Sequence, residues 1–325
     1  MLRTIRRMFS LFSFILAGLG AIALVLALLI AVPVKRPPPL QSLMDEARSV
    51  SLAGLPQIER FQARDGSSLA FHRYPVADAR QIAIVIHGSS AAGFAVHTLA
   101  KGLAEKGIAT YAPDIRGHGA SGTRGDIRYG GQLQDDLADL VAHIRKQHTV
   151  SPITLIGHSS GGGFALRMAG SPIQGLFSRT ILLAPFLGHD APSSRPDAGG
   201  WASPDIPRII ALGLLRSVGL RCCESLPVIG FAVPPELDHL LTATYSFRLL
   251  SDFGTSRDFR DDLAAARHKI TIYAGGGDSL MLPDKYESAV AGRAKTVILP
   301  GISHMGIIND PAAVARISSD LAAGD

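Results

Sequence analysis

The sequence predicts an α/β fold in which a mostly parallel central sheet is covered by helices on both faces. From about residue 57 onward, short apolar runs alternate with longer helical patterns, and strands that alternate with helices in this way form parallel sheets. Residues 82–86 (IAIVI) are apolar at every position, as expected for a strand buried on both faces. A G-x-S-x-G motif at residues 157–161 follows a further apolar run (ITLI), which indicates a sharp turn from a strand into a helix.

The chain begins this pattern with a predicted hairpin, because short strands at residues 58–63 and 69–74 flank an Asp-Gly turn. The later strands are predicted from short apolar runs. The helix at residues 133–147 is predicted from an apolar stripe at helical spacing. The other predicted strands are 82–86, 109–112, 153–156, 180–184, 270–274 and 296–299, and the other predicted helices are 94–106, 162–169 and 311–321.

The alternation is interrupted once, at residues 186–257, which we interpret as an insertion between two core strands in the position of a lid. This segment is rich in Pro and Gly and contains an apolar stretch at residues 206–220, broken by Arg208 and Arg216. Two interpretations of this apolar stretch remain open. In the first, it faces outward and either lines a substrate entrance or touches a bilayer. In the second, it packs on the core and covers the site.

The first 34 residues predict a membrane anchor, since no charged residue occurs between Arg7 and Lys35 and about 20 helical residues cross a hydrocarbon core. A cleaved signal peptide, which would have a shorter apolar core, and a buried soluble helix are the alternatives. Three Arg residues precede the run, against Lys35 and Arg36 after it. This favours a single-pass protein with a cytoplasmic N-terminus and an extracytoplasmic catalytic domain. Residues 35–56 are predicted to be a tether, with a short helix near residues 40–50.

The composition excludes several classes of function. The 325 residues carry a net charge of +5 without a Lys/Arg block that could follow a phosphate backbone, so we expect no nucleic-acid partner. The two cysteines, Cys222 and Cys223, are adjacent and cannot form a disulfide framework. The sequence has no zinc-ligand spacing, and Phe94-Ala95 stands where a phosphate-binding loop needs Lys and Ser or Thr. We therefore predict neither a metal nor a cofactor.

The candidate nucleophile is Ser159, at the centre of the motif GHSSG. A serine hydroxyl reacts only if it is exposed, oriented and deprotonated by a neighbour. The turn lifts Ser159 out of the sheet, and Gly157 and Gly161 remove Cβ atoms that would clash in so tight a turn. The following helix N-terminus places backbone N–H groups near developing negative charge. His158 is assigned a supporting position.

The candidate oxyanion donors are the backbone N–H groups of Ser89 and Ser160. The sequence HGSS at residues 87–90 ends the strand at 82–86, and ligands of parallel sheets bind outside the carboxyl ends of strands. This loop is therefore expected beside the nucleophile, where two N–H groups can hold a tetrahedral oxyanion. We interpret His87 and Gly88 as supporting residues, because His87 precedes the nucleophile in the chain and is expected to orient the loop.

The candidate general base is His304, which directly follows the strand at 296–299. Asp278 follows the preceding strand through three glycines, so that its loop reaches the same edge of the sheet and can hold the imidazole in one tautomer. Asp284 and Asp252 are alternatives for this acid. The chain order of Ser159, the acid and the base is the order found in hydrolases with a G-x-S-x-G turn.

These motifs resemble the α/β-hydrolase superfamily, nearest to its branch of monoglyceride lipases, lysophospholipases and serine aminopeptidases. The resemblance covers about residues 57–323 and rests on His87-Gly88-Ser89, residues 114–121 (DIRGHGAS), GHSSG, Gly277-Asp278 and Ser303-His304. It implies an α/β-hydrolase domain at residues 57–325, in which Asp114 and Arg116 hold loops near the site without a catalytic role.

Together with the predicted anchor, the resemblance implies a membrane-anchored serine hydrolase that cleaves a carboxylic ester through a Ser-His-Asp acyl-enzyme mechanism. An apolar lid beside an anchor favours a lipid substrate such as a monoacylglycerol or a lysophospholipid. A serine peptidase or amidase of the same fold is the second reading, favoured if acids line the pocket to hold a free amino group. A non-catalytic membrane-tethered binding protein is the third, and the intact Ser, Asp and His argue against it.

Overall fold

A computed structural model describes residues 2–324, with the backbone alone at residues 2–11, 19, 42, 47, 49 and 197. Its strands, in chain order, are β1 (Ile58–Gln62), β2 (Ser68–Tyr74), β3 (Gln81–Ile86), β4 (Ile108–Pro113), β5 (Ile153–His158), β6 (Arg179–Leu183), β7 (Ala202–Pro204), β8 (Pro227–Phe231), β9 (Thr244–Ser246), β10 (Lys269–Gly275) and β11 (Lys295–Leu299). The central sheet has eight strands in the order β1-β2-β4-β3-β5-β6-β10-β11. The strands from β4 to β11 in this order run parallel, and β1 and β2 add an antiparallel edge. The predicted mostly parallel sheet is confirmed.

The helices, in chain order, are α1 (Leu2–Ala31), α2 (Gln41–Ser49), α3 (His97–Glu105), α4 (Gln132–Arg145), α5 (Ser160–Gly170), α6 (Ile206–Ser217), α7 (Phe247–Asp252), α8 (Phe259–Ala265), α9 (Tyr286–Val290), α10 (Gly306–Asn309) and α11 (Pro311–Ala323). They cover both faces of the sheet. Along β3, for example, Ile82, Ile84 and Ile86 face the core beneath α4 and α5, whereas Ala83 and Val85 face the core beneath α3 and α11. Alternate side chains of a strand point to opposite faces, so the continuous apolar run is explained by burial on both sides.

The predicted elements of the central layer are present with small shifts at their ends. The hairpin pairs Ile58 with His72, and the helix predicted from residue 94 begins as a single 3-10 turn, Gly93–Val96, before α3. The short helices α8 and α9, which have seven and five residues, were not predicted. Helices this short carry too little apolar periodicity to be recognised.

The segment between β6 and α8 folds over the carboxyl edge of the sheet. It contains an antiparallel sheet of β7, β8 and β9, together with α6 and α7. Within α6, Leu212 is buried against Val228 and Phe247, whereas the large apolar side chains on the other side of the helix are exposed. These are Ile206, Ile210 and Leu214, followed by Val218 just beyond the helix. The apolar stretch therefore has one packed side and one exposed side.

Among the described residues, one helix is long and apolar enough to cross a membrane, at Phe12–Ala31 within α1, and a signal sequence would meet the same criterion. The side chains of Arg3, Arg6 and Arg7, on which the predicted orientation depends, lie outside the described residues. Near its end, α1 contacts α6, where Ile30 joins the small cluster around Leu212.

Candidate active site

Ser159 lies at the turn between β5 and α5 in a strained conformation. Its φ angle is +55°, a positive value that residues other than Gly rarely adopt. Both backbone polar groups of Ser159 are hydrogen-bonded. Its N–H donates to the carbonyl of Leu183 at 2.9 Å, and its carbonyl accepts from the N–H groups of Gly162 and Phe186 at 2.9 and 3.0 Å. The surrounding hydrogen bonds thus maintain the strain that presents the hydroxyl at the carboxyl edge of the sheet.

The two glycines of the motif are required by close backbone contacts. A Cβ atom at Gly157 would lie 2.1 Å from the carbonyl oxygen of Gly161, and one at Gly161 would lie 2.3 Å from the carbonyl oxygen of His87. A Cβ atom at Gly88 would lie 3.2 Å from that of Ser159. The loop after β3 and the turn after β5 therefore approach each other as closely as the backbone allows.

His304 and Asp278 form a buried pair beside this turn. Nδ1 of His304 donates to Oδ2 of Asp278 at 2.7 Å, and the side chains are 3% and 0% exposed. The other carboxylate oxygen accepts from the N–H groups of Leu280 and Met281 at 2.8 and 2.9 Å. Burial raises the pKa of Asp278, but the hydrogen bond and charge of His304, aided by the two N–H groups, outweigh it and hold this pKa below its usual value. The carboxylate therefore stays ionised.

The two alternative acids lie elsewhere. Asp252 is buried, but its carboxylate accepts from the N–H groups of Gly131 and Leu133 at 2.9 and 3.0 Å and pairs with Arg167. Asp252 thus caps the N-terminus of α4. Asp284 is exposed, 3.7 Å from the ammonium group of Lys285. Of the three acids considered, Asp278 is the one that the structure places on His304.

Ser89 lines the cavity that Ser159 and His304 line, and Ser160 directly follows Ser159 in the chain. Ser89 belongs to the loop after β3, and Ser160 is the first residue of α5, where the helix dipole favours negative charge. Among the described residues, neither backbone N–H donates to another group.

The inserted segment holds the loop that carries Ser89. Nε1 of Trp201 donates to Oγ of Ser89 at 2.8 Å. The N–H of Ser90 donates to the hydroxyl oxygen of Tyr245 at 2.7 Å, and the carbonyl of Ser90 accepts from the N–H of Thr242 at 2.8 Å. Sequence reasoning missed these residues, because nothing in the local pattern around Trp201 or Tyr245 indicates a contact with a loop more than 100 residues earlier.

The histidines near the site act as structural supports. Nδ1 of His87 donates to the carbonyl of Gly88 at 2.8 Å, and its Nε2 accepts from the N–H of Ile115 at 3.1 Å. His158 donates from Nε2 to the carbonyl of His304 at 3.0 Å. Burial and then the charge of His304 lower the pKa of His158 to about 3. Burial also lowers the pKa of His87, so both imidazoles are held neutral.

Residues 114–121 stabilise the neighbouring loops. The carboxylate of Asp114 accepts from the N–H groups of Gly93 and Ala120, each at 2.8 Å. The buried guanidinium of Arg116 pairs with Asp136 at 2.7 Å and with Asp65 at 3.1 Å. These contacts are within the protein scaffold, as expected of residues without a catalytic role.

The cavity at this edge is small and mostly apolar. Its volume is about 110 Å³. The apolar lining includes Leu43 and Met44 of α2, Trp201 and Leu241 of the inserted segment, and Leu280. None of the described lining residues is acidic. The described residues also contain no group of three or more His, Cys, Asp or Glu side chains that could hold a metal ion.

Comparisons with known proteins agree with this architecture. A family model described as "Serine aminopeptidase, S33" matches residues 77–220. A monoacylglycerol lipase of Mycolicibacterium smegmatis is 31% identical over 121 residues, which are 37% of this chain and 43% of that protein. A magnesium-chelatase 30 kDa subunit of Rhodobacter capsulatus is 33% identical over 89 residues, 27% of this chain and 30% of that protein. The matched region thus spans less than half the length of these curated relatives.

Among solved structures, a soluble variant of monoglyceride lipase from Saccharomyces cerevisiae in complex with a substrate analogue superposes with a TM-score of 0.61 at 17% identity, covering 83% of this chain and 94% of that chain. At this identity the likeness concerns the fold. Together, these findings confirm the predicted resemblance to the α/β-hydrolase superfamily and to its branch of monoglyceride lipases and serine aminopeptidases.

Proposed function

We propose that this chain is a serine hydrolase that cleaves a carboxylic ester, with Ser159 as nucleophile, His304 as general base and Asp278 as the acid that orients it. One observation carries the proposal. The imidazole of His304 is fixed by a 2.7 Å hydrogen bond to a buried, ionised Asp278, and it lines the same cavity as Ser159. An imidazole held in this way by an ionised acid is one part of the arrangement that activates a serine hydroxyl, and proton transfer requires its Nε2 to reach Oγ of Ser159.

In the first half-reaction, Oγ of Ser159 attacks the ester carbonyl carbon as Nε2 of His304 takes its proton. The resulting oxyanion accepts hydrogen bonds from the backbone N–H groups of Ser89 and Ser160. Asp278 remains ionised and stabilises the imidazolium. The bond to the leaving alcohol then breaks, and His304 returns the proton to the alcohol oxygen, which leaves an acyl group on Ser159.

In the second half-reaction, a water molecule attacks the acyl carbon as His304 again takes a proton. The same two N–H groups hold the second oxyanion. When the bond to Oγ breaks, the proton returns to Ser159, and the carboxylic acid leaves. The cycle consumes one ester and one water and restores the enzyme without a cofactor.

The substrate that we propose is a monoacylglycerol or lysophospholipid-like ester. Support comes from the apolar cavity and from the monoacylglycerol lipases among the relatives and structural neighbours. An aminopeptidase would need an acid to hold the free amino group of its substrate, and the described lining residues include none. The ester reading is therefore favoured over the peptidase or amidase reading.

Labelling with a fluorophosphonate tests the mechanism, and it also tests the third reading, a binding protein without activity. The wild-type chain should be labelled, Ser159→Ala should not, and Ser160→Ala should still be labelled because it keeps its backbone N–H. A wild-type chain that resists labelling would reject the proposal. Release of the carboxylic acid from monoacylglycerols and lysophosphatidylcholines with short and with long acyl chains, compared with release of p-nitroaniline from an aminoacyl anilide, then separates ester hydrolysis from peptidase activity.

We further propose that residues 1–34 anchor the protein in a membrane, with the catalytic domain on the extracytoplasmic side and with residues 186–257 as a lid. The support is the apolar length of α1 and the exposed apolar side of α6 next to it. Carbonate extraction should leave the intact chain in the membrane pellet. Mass spectrometry that finds a cleaved N-terminus would instead establish a signal peptide, and protease protection in sealed vesicles reports the orientation.

A further inference from the structure

The segment that follows α1 is docked along the inserted segment. The carbonyl oxygen of Lys35 lies against β8 so closely that a Cβ atom at Gly230 would be 2.4 Å from it. The guanidinium of Arg36 contacts both carboxylate oxygens of Asp238, at 2.8 and 2.9 Å. These contacts attach residues 35 and 36 to the inserted segment.

The next helix, α2, forms part of the cavity wall. Leu43 and Met44 are 6% and 5% exposed and belong to the main core cluster, and both line the cavity with Ser159. A polar contact fixes the helix beside the candidate base. The hydroxyl of Ser303, next to His304 in the chain, donates to Oε2 of Glu46 at 2.7 Å. The helix is therefore attached to the catalytic loop as well as packed on the core.

The wall leaves little room for an acyl group. The cavity volume is about 110 Å³, whereas pockets for small molecules usually have about 300–1,000 Å³. Leu43 and Met44 thus narrow the space beside Ser159 that an acyl chain could occupy.

We propose that Leu43 and Met44 are specificity-determining residues that restrict the acyl group to a short chain, and that Glu46 positions them through Ser303. This inference rests on the proposed function and narrows its ester to one with a short acyl group. The restriction is steric, because the wall itself is apolar and would otherwise favour a longer chain. A helix outside the α/β domain thus sets the chain-length preference.

The test compares p-nitrophenyl acetate, butyrate, octanoate and dodecanoate on the full chain. For wild type, kcat/KM should be highest on acetate or butyrate. In Leu43→Ala/Met44→Ala, the ratio of kcat/KM on dodecanoate to that on acetate should rise at least about tenfold, since a factor of ten corresponds to about 1.4 kcal/mol. Leu52→Ala, at a side chain 45% exposed just beyond α2, is the matched control and should leave the ratio unchanged.

Because Leu43 and Met44 are core residues, the double variant could unfold, and a second variant tests the proposal without changing these two side chains. Glu46→Ala removes the contact with Ser303 and should shift the ratio in the same direction by a smaller factor. If wild type already prefers dodecanoate, or if neither variant shifts the ratio while acetate is still hydrolysed, the proposal is overturned and the proposed function stands. If wild type hydrolyses none of the four esters and resists fluorophosphonate, both are overturned.

Discussion

The hydroxyl group of Tyr245 links the inserted segment to the candidate oxyanion loop. Its oxygen accepts a hydrogen bond from the N–H of Ser90 at 2.7 Å, and it lies 2.6 Å from Nε2 of His118, to which it donates. Ser90 has a φ angle of +65°, which costs free energy for a residue other than Gly. Since Ser90 follows Ser89, this bond helps to hold a strained loop in the shape that presents the Ser89 N–H.

Replacing Tyr245 with Phe should therefore lower kcat more than it raises KM. The change removes both hydrogen bonds of the hydroxyl and leaves the buried N–H of Ser90 and Nε2 of His118 unpaired. Each unpaired group costs about 1–3 kcal/mol. If about 1 kcal/mol of this appears in the transition state, kcat falls about fivefold. Steady-state kinetics on p-nitrophenyl acetate measure the effect. Tyr129→Phe, at a partly exposed tyrosine that bonds to Asp135, is the control and should leave kcat unchanged.

Asp278→Asn should lower kcat by about 10⁴, the loss seen when the acid of a Ser-His-Asp triad becomes an amide that favours the wrong imidazole tautomer. The fold should persist, because the amide oxygen can still accept from the N–H groups of Leu280 and Met281. Labelling rates with fluorophosphonate and circular dichroism of the same sample distinguish a catalytic defect from unfolding.

Asn substitutions at the two alternative acids are the controls. Asp252→Asn should lower the free energy of unfolding, because Asp252 caps α4 and pairs with Arg167, but the folded fraction should be labelled at the wild-type rate. Asp284→Asn, at an exposed position, should change neither the free energy of unfolding nor the labelling rate. A loss of labelling in folded Asp252→Asn or Asp284→Asn would contradict the assignment of Asp278.

The positions of Ser159, Asp278 and His304 could be predicted because each directly follows a strand. The carboxyl ends of parallel strands meet at one edge of the sheet, so three distant side chains are brought together by a rule that the sequence displays locally. The structure differs little here. Ser159 follows β5, Asp278 follows β10, and His304 follows β11.

Trp201, Tyr245 and Met44 could not be predicted in the same way. Trp201 and Tyr245 reach the loop after β3 from 112 and 155 residues away, through an inserted segment whose path follows from tertiary packing. Residues 35–56 read as a polar tether because Pro, Ser and charges dominate them, yet two apolar side chains in this segment suffice to bury one side of α2. Local composition describes the average of a segment, whereas docking depends on a few residues.

The buried histidines predict a steep loss of stability on acidification. The pKa of His158 in the folded protein is about 3, against about 6.5 in an unfolded chain. Between these values the unfolded state binds one more proton than the folded state. Its contribution to stability is therefore complete above about pH 6.5 and is lost as the pH falls towards 3, by about 1.4 kcal/mol per pH unit. Burial also lowers the pKa values of His87 and His118, which adds to the slope.

The measurement is urea unfolding at pH 7, 6, 5 and 4. In His158→Gln, which cannot take up the proton in the unfolded state, the slope of unfolding free energy against pH should fall by about 1.4 kcal/mol per unit over this window. An unchanged slope would show that His158 is protonated in the folded protein, which would place an imidazolium next to His304.

Two Gly→Ala substitutions should have opposite effects. At Gly157 the added Cβ would lie 2.1 Å from the backbone oxygen of Gly161, so the β5–α5 turn must distort. Gly157→Ala should therefore lower the free energy of unfolding by several kcal/mol and abolish labelling of Ser159. At Gly213, inside α6, nothing lies within 4 Å of the added Cβ, and Ala is favoured over Gly in a helix by about 1 kcal/mol.

Thermal unfolding of both variants checks this contrast. Gly213→Ala should raise Tm and keep the labelling rate of wild type, whereas Gly157→Ala should lower Tm or fail to fold. A stable Gly157→Ala chain that is labelled at the wild-type rate would mean that the turn has room for a side chain. The strained presentation of Ser159 would then not depend on the close approach of the two glycines.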